Sequence, residues 1–189
     1  WYPDQQKINP VELEGFDTVI HLGGAGIGDK RWSKKRMKLI EESRTTSTKF
    51  LSETIANLTS KPASFIVSSA VGWYGERGDE ELNENSEPGQ GFLPTICAKW
   101  EASCQAARDS GIRTVNLRTG VVLDATGGAL GKMLLPAKLG AGGPIGRGKQ
   151  WYSWISMDDQ IYATHYLVMN DECAVSYTHL RAHETFFDL

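Results

Sequence analysis

The stretch VIHLGGAGIGDKRW, residues 19–32, decides how this chain is read. A hydrophobic run breaks into four glycines within six residues, Gly23, Gly24, Gly26 and Gly28, the pattern of a buried strand feeding a tight loop. A dinucleotide fingerprint needs G-x-G-x-x-G between strand and helix, with an acidic residue about 20 positions on at the end of the next strand. Here the third glycine slot falls on Asp29, and the acidic position is replaced by SRTTST (43–48), inside a helical pattern. The loop therefore fails the spacing of a pyrophosphate cradle, while the strand before it stands.

Outward from this stretch, FDTVIHL (16–22), ASFIVSS (63–69) and IRTVNLRTGVVL (112–123) are short runs rich in Val and Ile, the signature of strands buried on both faces. Helical spacing fills the gaps between them. Met37, Ile40, Phe50, Leu51, Ile55 and Leu58 form one stripe over residues 34–58, with Ser33 as N-cap. Ile96, Trp100, Cys104 and Ala107 form a second over 94–110, with Pro94 in the first turn and Gly111 as the stop. This alternation is that of an α/β doubly wound parallel sheet with helices on both faces. Past Leu123 the chain turns Gly-rich. It predicts a short helix over 129–139, a strand in WYSWISM (151–157), and a helix through Ile161, Tyr162, His165, Tyr166 and Met169 capped by Asp158 or Asp159.

A hydrophobic content of 40% with 23% charged residues is ordinary for a globular chain of 189 residues. The net charge of −3 leaves no electrostatic footprint for nucleic acid or an anionic membrane. The basic run DKRWSKKRMK reads as the solvated start of a helix. No apolar run reaches the roughly 18 residues of a membrane span. Cys97, Cys104 and Cys173 are odd in number and lack C-x-x-C spacing, which indicates neither a disulfide framework nor a zinc site and points to a reducing, cytoplasmic compartment. His179 and His183, although spaced i, i+4, are not read as metal ligands, and no metal is expected.

In open α/β sheets, ligands sit beyond the carboxyl ends of the strands. GGAGIG, SSAVGWYG and RTGVVL all fall there, so three strand ends point at one crevice. A serine at such an end can hydrogen-bond a substrate hydroxyl or carbonyl, or satisfy local backbone groups; the residues alone leave Ser68 and Ser69 open to both. The G-x-S-x-G of a hydrolase nucleophile elbow is absent.

Taken in order, VIHLGGAGIGDKRW, SR..ST (43–48), SSAVGWYG, FLPTICAKWEASC, LRTGVVLDATGGALGKM and GGPIGRGKQWYSWISMDD closely resemble the NAD(P)-binding epimerase-like proteins of the atypical short-chain dehydrogenase/reductase superfamily. The resemblance implies a partial Rossmann-like domain over residues 1–172, truncated at both ends, with the G-x-x-G-x-x-G unit upstream of the chain and residues 173–189 an unrelated or out-of-frame tail. A chain without that unit is expected to bind dinucleotide weakly or not at all.

The same resemblance implies NAD or NADP as cofactor, with NADP preferred, and contacts from Leu22, Gly23, Gly24, Ala25, Val67, Ser68, Arg118 and Thr119. Ser69 would polarise the reacting oxygen of a small or sugar-like substrate, with Tyr74, Cys97 and Lys99 as the remaining proton carriers. Arg147, Gln150 and Trp154, with Trp151 beside them, would meet that substrate. Related enzymes use a Tyr and, four residues on, a Lys; matching by position puts Cys97 and Glu101 there, and Arg44 replaces a helix Asn. These departures favour, as the alternative, a non-catalytic dinucleotide-binding regulator or scaffold. A homodimer is left open.

Overall fold

The computed structural model describes residues 1–143, 148, 150–173 and 175–177. In chain order it contains β1 (Thr18–His21), α1 (Lys34–Ala56), β2 (Ser64–Ala70), α2 (Phe92–Ala102), α3 (Gln105–Asp109) and β3 (Arg113–Thr119). There follow β4 (Val121–Asp124), α4 (Gly128–Lys138), β5 (Trp154–Ser156), α5 (Met157–Met169) and β6 (Val175–Tyr177).

The main sheet runs β1-β2-β3-β6, and every neighbouring pair is parallel. Side chains alternate across it, so the two faces are built from interleaved residues. Phe65 and Val67 of β2 pack with Leu51 and Ile55 of α1 and with Trp100, Cys104 and Ala107 at α2 and α3. Ile66, Val115 and Leu117 pack on the other face with Ile155, Leu167 and Cys173. Helices thus cover both faces, as the Val- and Ile-rich strands require. No helix among the described residues is long and apolar enough to cross a membrane.

Helix α1 begins where expected, Ser33 Oγ accepting from the Arg36 N–H at 3.2 Å. Its inward stripe is more polar than the apolar pattern suggested: Arg44, Ser47, Thr48 and Ser52 are buried beside Ile40, Leu51 and Ile55. Each of the four has a partner. Trp100 Nε1 donates to Thr48 Oγ1 at 2.9 Å, the Ala107 N–H to Ser52 Oγ at 2.9 Å, and Ser47 Oγ lies 3.3 Å from His21 Nε2. Arg44 Nη1 donates to the Ala25 and Ile40 carbonyls. Hydrogen bonds of this kind offset the cost of burying polar groups.

Four expectations need adjustment. The run 112–123 is two strands in two sheets, because the chain turns at Gly120 to pair β4 with β5. A Cβ at Gly120 would lie 2.8 Å from the Ser153 carbonyl oxygen, so only glycine fits this crossing. The helix over 94–110 is broken into α2 and α3: Ser103 Oγ bonds back to the Lys99 carbonyl, and Cys104 N–H shifts to the Glu101 carbonyl three residues back. The cap of α5 is Ser156, not Asp158 or Asp159; its Oγ accepts from the Asp159 N–H at 3.0 Å and donates to Asp159 Oδ2 at 2.8 Å, a reciprocal capping pair. Finally, β6 pairs with Val115–Leu117 of β3 in a stretch where the sequence shows no clear periodicity.

Phe65 is fully buried between β2 and the helices, so Phe65→Ala should cost about 3–5 kcal/mol. A lowered urea midpoint with unchanged m-value would register this loss. Ile20→Ser, at a position 45% exposed, should stay within about 1 kcal/mol of the parent.

Candidate functional site

Parallel pairing brings the carboxyl ends of β1, β2 and β3 to one edge, with His21 opposite Val67 and Ser69 opposite Arg118. Beyond β1 the chain leaves as the loop Leu22–Gly23–Gly24–Ala25. Leu22 is 65% exposed, and both glycines lie open. α1 holds this loop from below: Ser43 Oγ accepts from the Ala25 N–H at 3.0 Å, and Arg44 donates to the Ala25 carbonyl at 2.9 Å. Arg44 also stacks over Trp100, 5.1 Å from the ring centroid. Burial is the main influence lowering its pKa, yet a guanidinium stays charged at neutral pH.

The centre of the edge is a buried ion pair. Arg118 Nε and Nη2 donate to Glu101 Oε1 and Oε2 at 2.8 and 2.9 Å, a fork-to-fork geometry. Arg118 is only 3% exposed. Its guanidinium carbon lies 3.8 Å from the Trp73 ring centroid, and Nη1 donates to Tyr74 Oη at 3.2 Å and to the Glu84 carbonyl at 3.1 Å. Burial alone would lower the Arg118 pKa; the hydrogen bonds to Glu101 and Tyr74 outweigh it and push it up. Ser69 joins from β2, its Oγ donating to Glu101 Oε1 at 2.7 Å.

Ser69, Tyr74, Cys97, Glu101 and Arg118 are thus brought into one buried cluster. The Cys97 thiol is pushed up to about 11, first by burial and then by the Glu101 charge, with Arg44 and Arg118 only partly offsetting both. It is a neutral thiol at physiological pH. Lys99 leaves the cluster, its Nζ 2.6 Å from Glu41 Oε1 on the exposed side of α2. Val67 is fully buried and offers the crevice no side chain, whereas Ser68 and Thr119 are half-buried at the edge. On the far side, Trp151 Nε1 donates to Asp79 Oδ1 at 2.8 Å, Gln150 is exposed and Trp154 is half-buried. Arg147, His179 and His183 lie outside the described residues. Among the described residues, no group of three or more His, Cys, Asp or Glu is placed to hold a metal.

Sequence reasoning treated Glu101 as a misfit; the structure makes it the hub. A signal was present: Cys97, Trp100, Glu101 and Cys104 share one helix face, and Arg118 lies near the end of a strand buried along most of its length, so opposite charges sat in two buried segments.

The model of the NAD dependent epimerase/dehydratase family matches residues 3–180. An epimerase family protein of Mycobacterium bovis is 38% identical over 168 residues, covering 89% of this chain and 55% of its own length. The crystal structure of human epimerase family protein SDR39U1 with NADPH superposes with a TM-score of 0.82 at 32% identity, covering 89% of this chain and 60% of that one. A nucleoside-diphosphate sugar epimerase from Corynebacterium glutamicum gives a TM-score of 0.79 at 37% identity, covering 93% and 36%. The chain spans about half the length of the curated relatives it matches.

Two titrations follow from the burial at this edge. Burial lowers the His21 pKa below 6.5, so the folded chain binds fewer protons than the unfolded one and stability should fall as pH drops from 6.5. The raised Cys97 pKa has the opposite sense: the folded chain retains the proton, so stability should fall as pH rises from 9 towards about 11. Urea midpoints across both windows check these signs: His21→Gln should flatten the acid limb, and Cys97→Ala should reduce the alkaline one, leaving the part due to buried Cys104, whose thiol is pushed up to about 12.

Proposed function

The chain belongs to the NAD dependent epimerase/dehydratase family, and on that premise we propose that its strand-end crevice binds NAD or NADP and serves an epimerase-like oxidoreductase acting on a small or sugar-like substrate. The observation that carries this reading is the convergence of three parallel strand ends, with the exposed Leu22–Gly24 loop beside Ser68 and Ser69. NADP is preferred over NAD, since human SDR39U1, 32% identical, is crystallised with NADPH. The coenzyme, when bound, supplies hydride transfer.

The residues here fit one end of such a cofactor. Leu22 offers apolar surface and the loop backbone is open at Gly23 and Gly24, which suits a flat ring and its ribose. The loop does not have the form of a pyrophosphate cradle: its third glycine slot falls on Asp29, and Arg44 beneath it is engaged by the Ala25 and Ile40 carbonyls. Ser69 meets the reacting oxygen, Glu101 and Arg118 hold Ser69 in place, and Trp151 and Trp154 border the substrate side.

A non-catalytic dinucleotide-binding role is the second reading. Cys97 and Glu101 favour it, because one is a neutral thiol and the other is locked to Arg118, so neither matches the Tyr and Lys of related enzymes.

Titration of the isotopically labelled chain with NADPH tests the crevice. Binding on the order of millimolar, with amide shifts centred on Gly23, Gly24, Ser68 and Ser69, is the expected result. Absence of shifts there at saturating NADPH, or shifts confined to α4 and α5, would contradict the reading.

A further inference from the structure

The geometry points to a direction for the hydrogen bond that Ser69 makes to a ligand: we infer that Ser69 Oγ accepts, and that the crevice therefore takes its small-molecule ligand with a hydroxyl donor at this point. The inference rests on the crevice reading above and narrows the class of substrate it admits.

Both oxygens of Glu101 accept from the Arg118 guanidinium, at 2.8 and 2.9 Å. A guanidinium has only protons to give, so a bidentate partner must be the ionised carboxylate, which has none. Toward Ser69, Glu101 Oε1 can therefore only accept, and the hydroxyl proton of Ser69 is committed to it at 2.7 Å. A hydroxyl carries one proton and two lone pairs. Among the described residues this is the single side-chain hydrogen bond of Ser69. What it retains for a ligand is acceptor capacity.

The consequence separates two groups of nearly equal shape. An alcohol O–H can donate to Ser69 Oγ, whereas a ketone oxygen would face lone pairs and remain unpaired. Specificity is sharpest where a site built for one hydrogen-bonding sense meets the other. Glu101 and Arg118 act here as positioning residues. They sit behind Ser69 and fix the sense of its bond. The pair is itself held by Trp73 stacked on Arg118 and by the Glu84 carbonyl.

Cyclohexanol and cyclohexanone differ at this one group and serve as probes. Titrated separately into the labelled chain, cyclohexanol should shift the amides of Ser69, Ala70 and Cys97 with a Kd roughly two- to tenfold below that of cyclohexanone, the span of one net hydrogen bond. Ser69→Ala, which removes one oxygen and keeps the fold, should abolish the difference. Glu101→Gln, whose amide can donate to Ser69, frees the hydroxyl proton and should shrink or reverse the preference. Equal or tighter binding of the ketone to the parent chain, or a preference that survives Ser69→Ala, overturns the inference while leaving the crevice standing. If neither probe moves these amides, the crevice reading falls and the inference with it.

Discussion

The bidentate pair between Arg118 and Glu101 is the contact on which this edge of the sheet depends. It ties the last turns of β3 to the end of α2, takes the hydroxyl of Ser69 on β2, and presents the guanidinium face to Trp73. A pair this deeply buried is not a gain in stability by itself, since desolvation of both ions consumes most of their attraction. Its value is positional. Removing either partner would strand a charge in a closed environment, so the geometry tolerates little drift.

A second polar seam does the same for β1. Ser43, Arg44, Ser47 and Thr48 run along the inner face of α1 and meet Ala25, His21 and Trp100. An apolar stripe would have packed the helix as tightly but left the Gly23–Ala25 backbone unheld. The two seams together hold the crevice from both sides: one beneath the loop after β1, the other beneath the ends of β2 and β3. Cys97 stands between them, sensing Arg44 and Arg118 as well as Glu101, and burial keeps its proton in place.

Much of this was legible in the sequence. The strands at FDTVIHL and ASFIVSS, the Ser33 cap, the helix past Gly128 and the parallel alternation follow from local pattern, and the structure agrees. The convergence of strand ends also follows, because it needs only parallel order. Other features were hidden for physical reasons. The turn at Gly120 is dictated by the approach of Ser153, more than thirty residues away, which no local window contains. The break between α2 and α3 comes from Ser103 and Arg108 competing for helix carbonyls, which spacing does not show. The partnership of Glu101 with Arg118 required knowing that one helix face and one strand face oppose each other. Two buried, opposite charges hinted at it, but register alone could prove it.

A double-mutant cycle on this pair tests the account most directly. Arg118→Met and Glu101→Gln should each destabilise the chain by about 3–5 kcal/mol, and the double variant should lose no more than one single variant does. Losses that simply add would mean that the two side chains act independently, and the pair could not then be what sets Ser69 and the edge of the crevice.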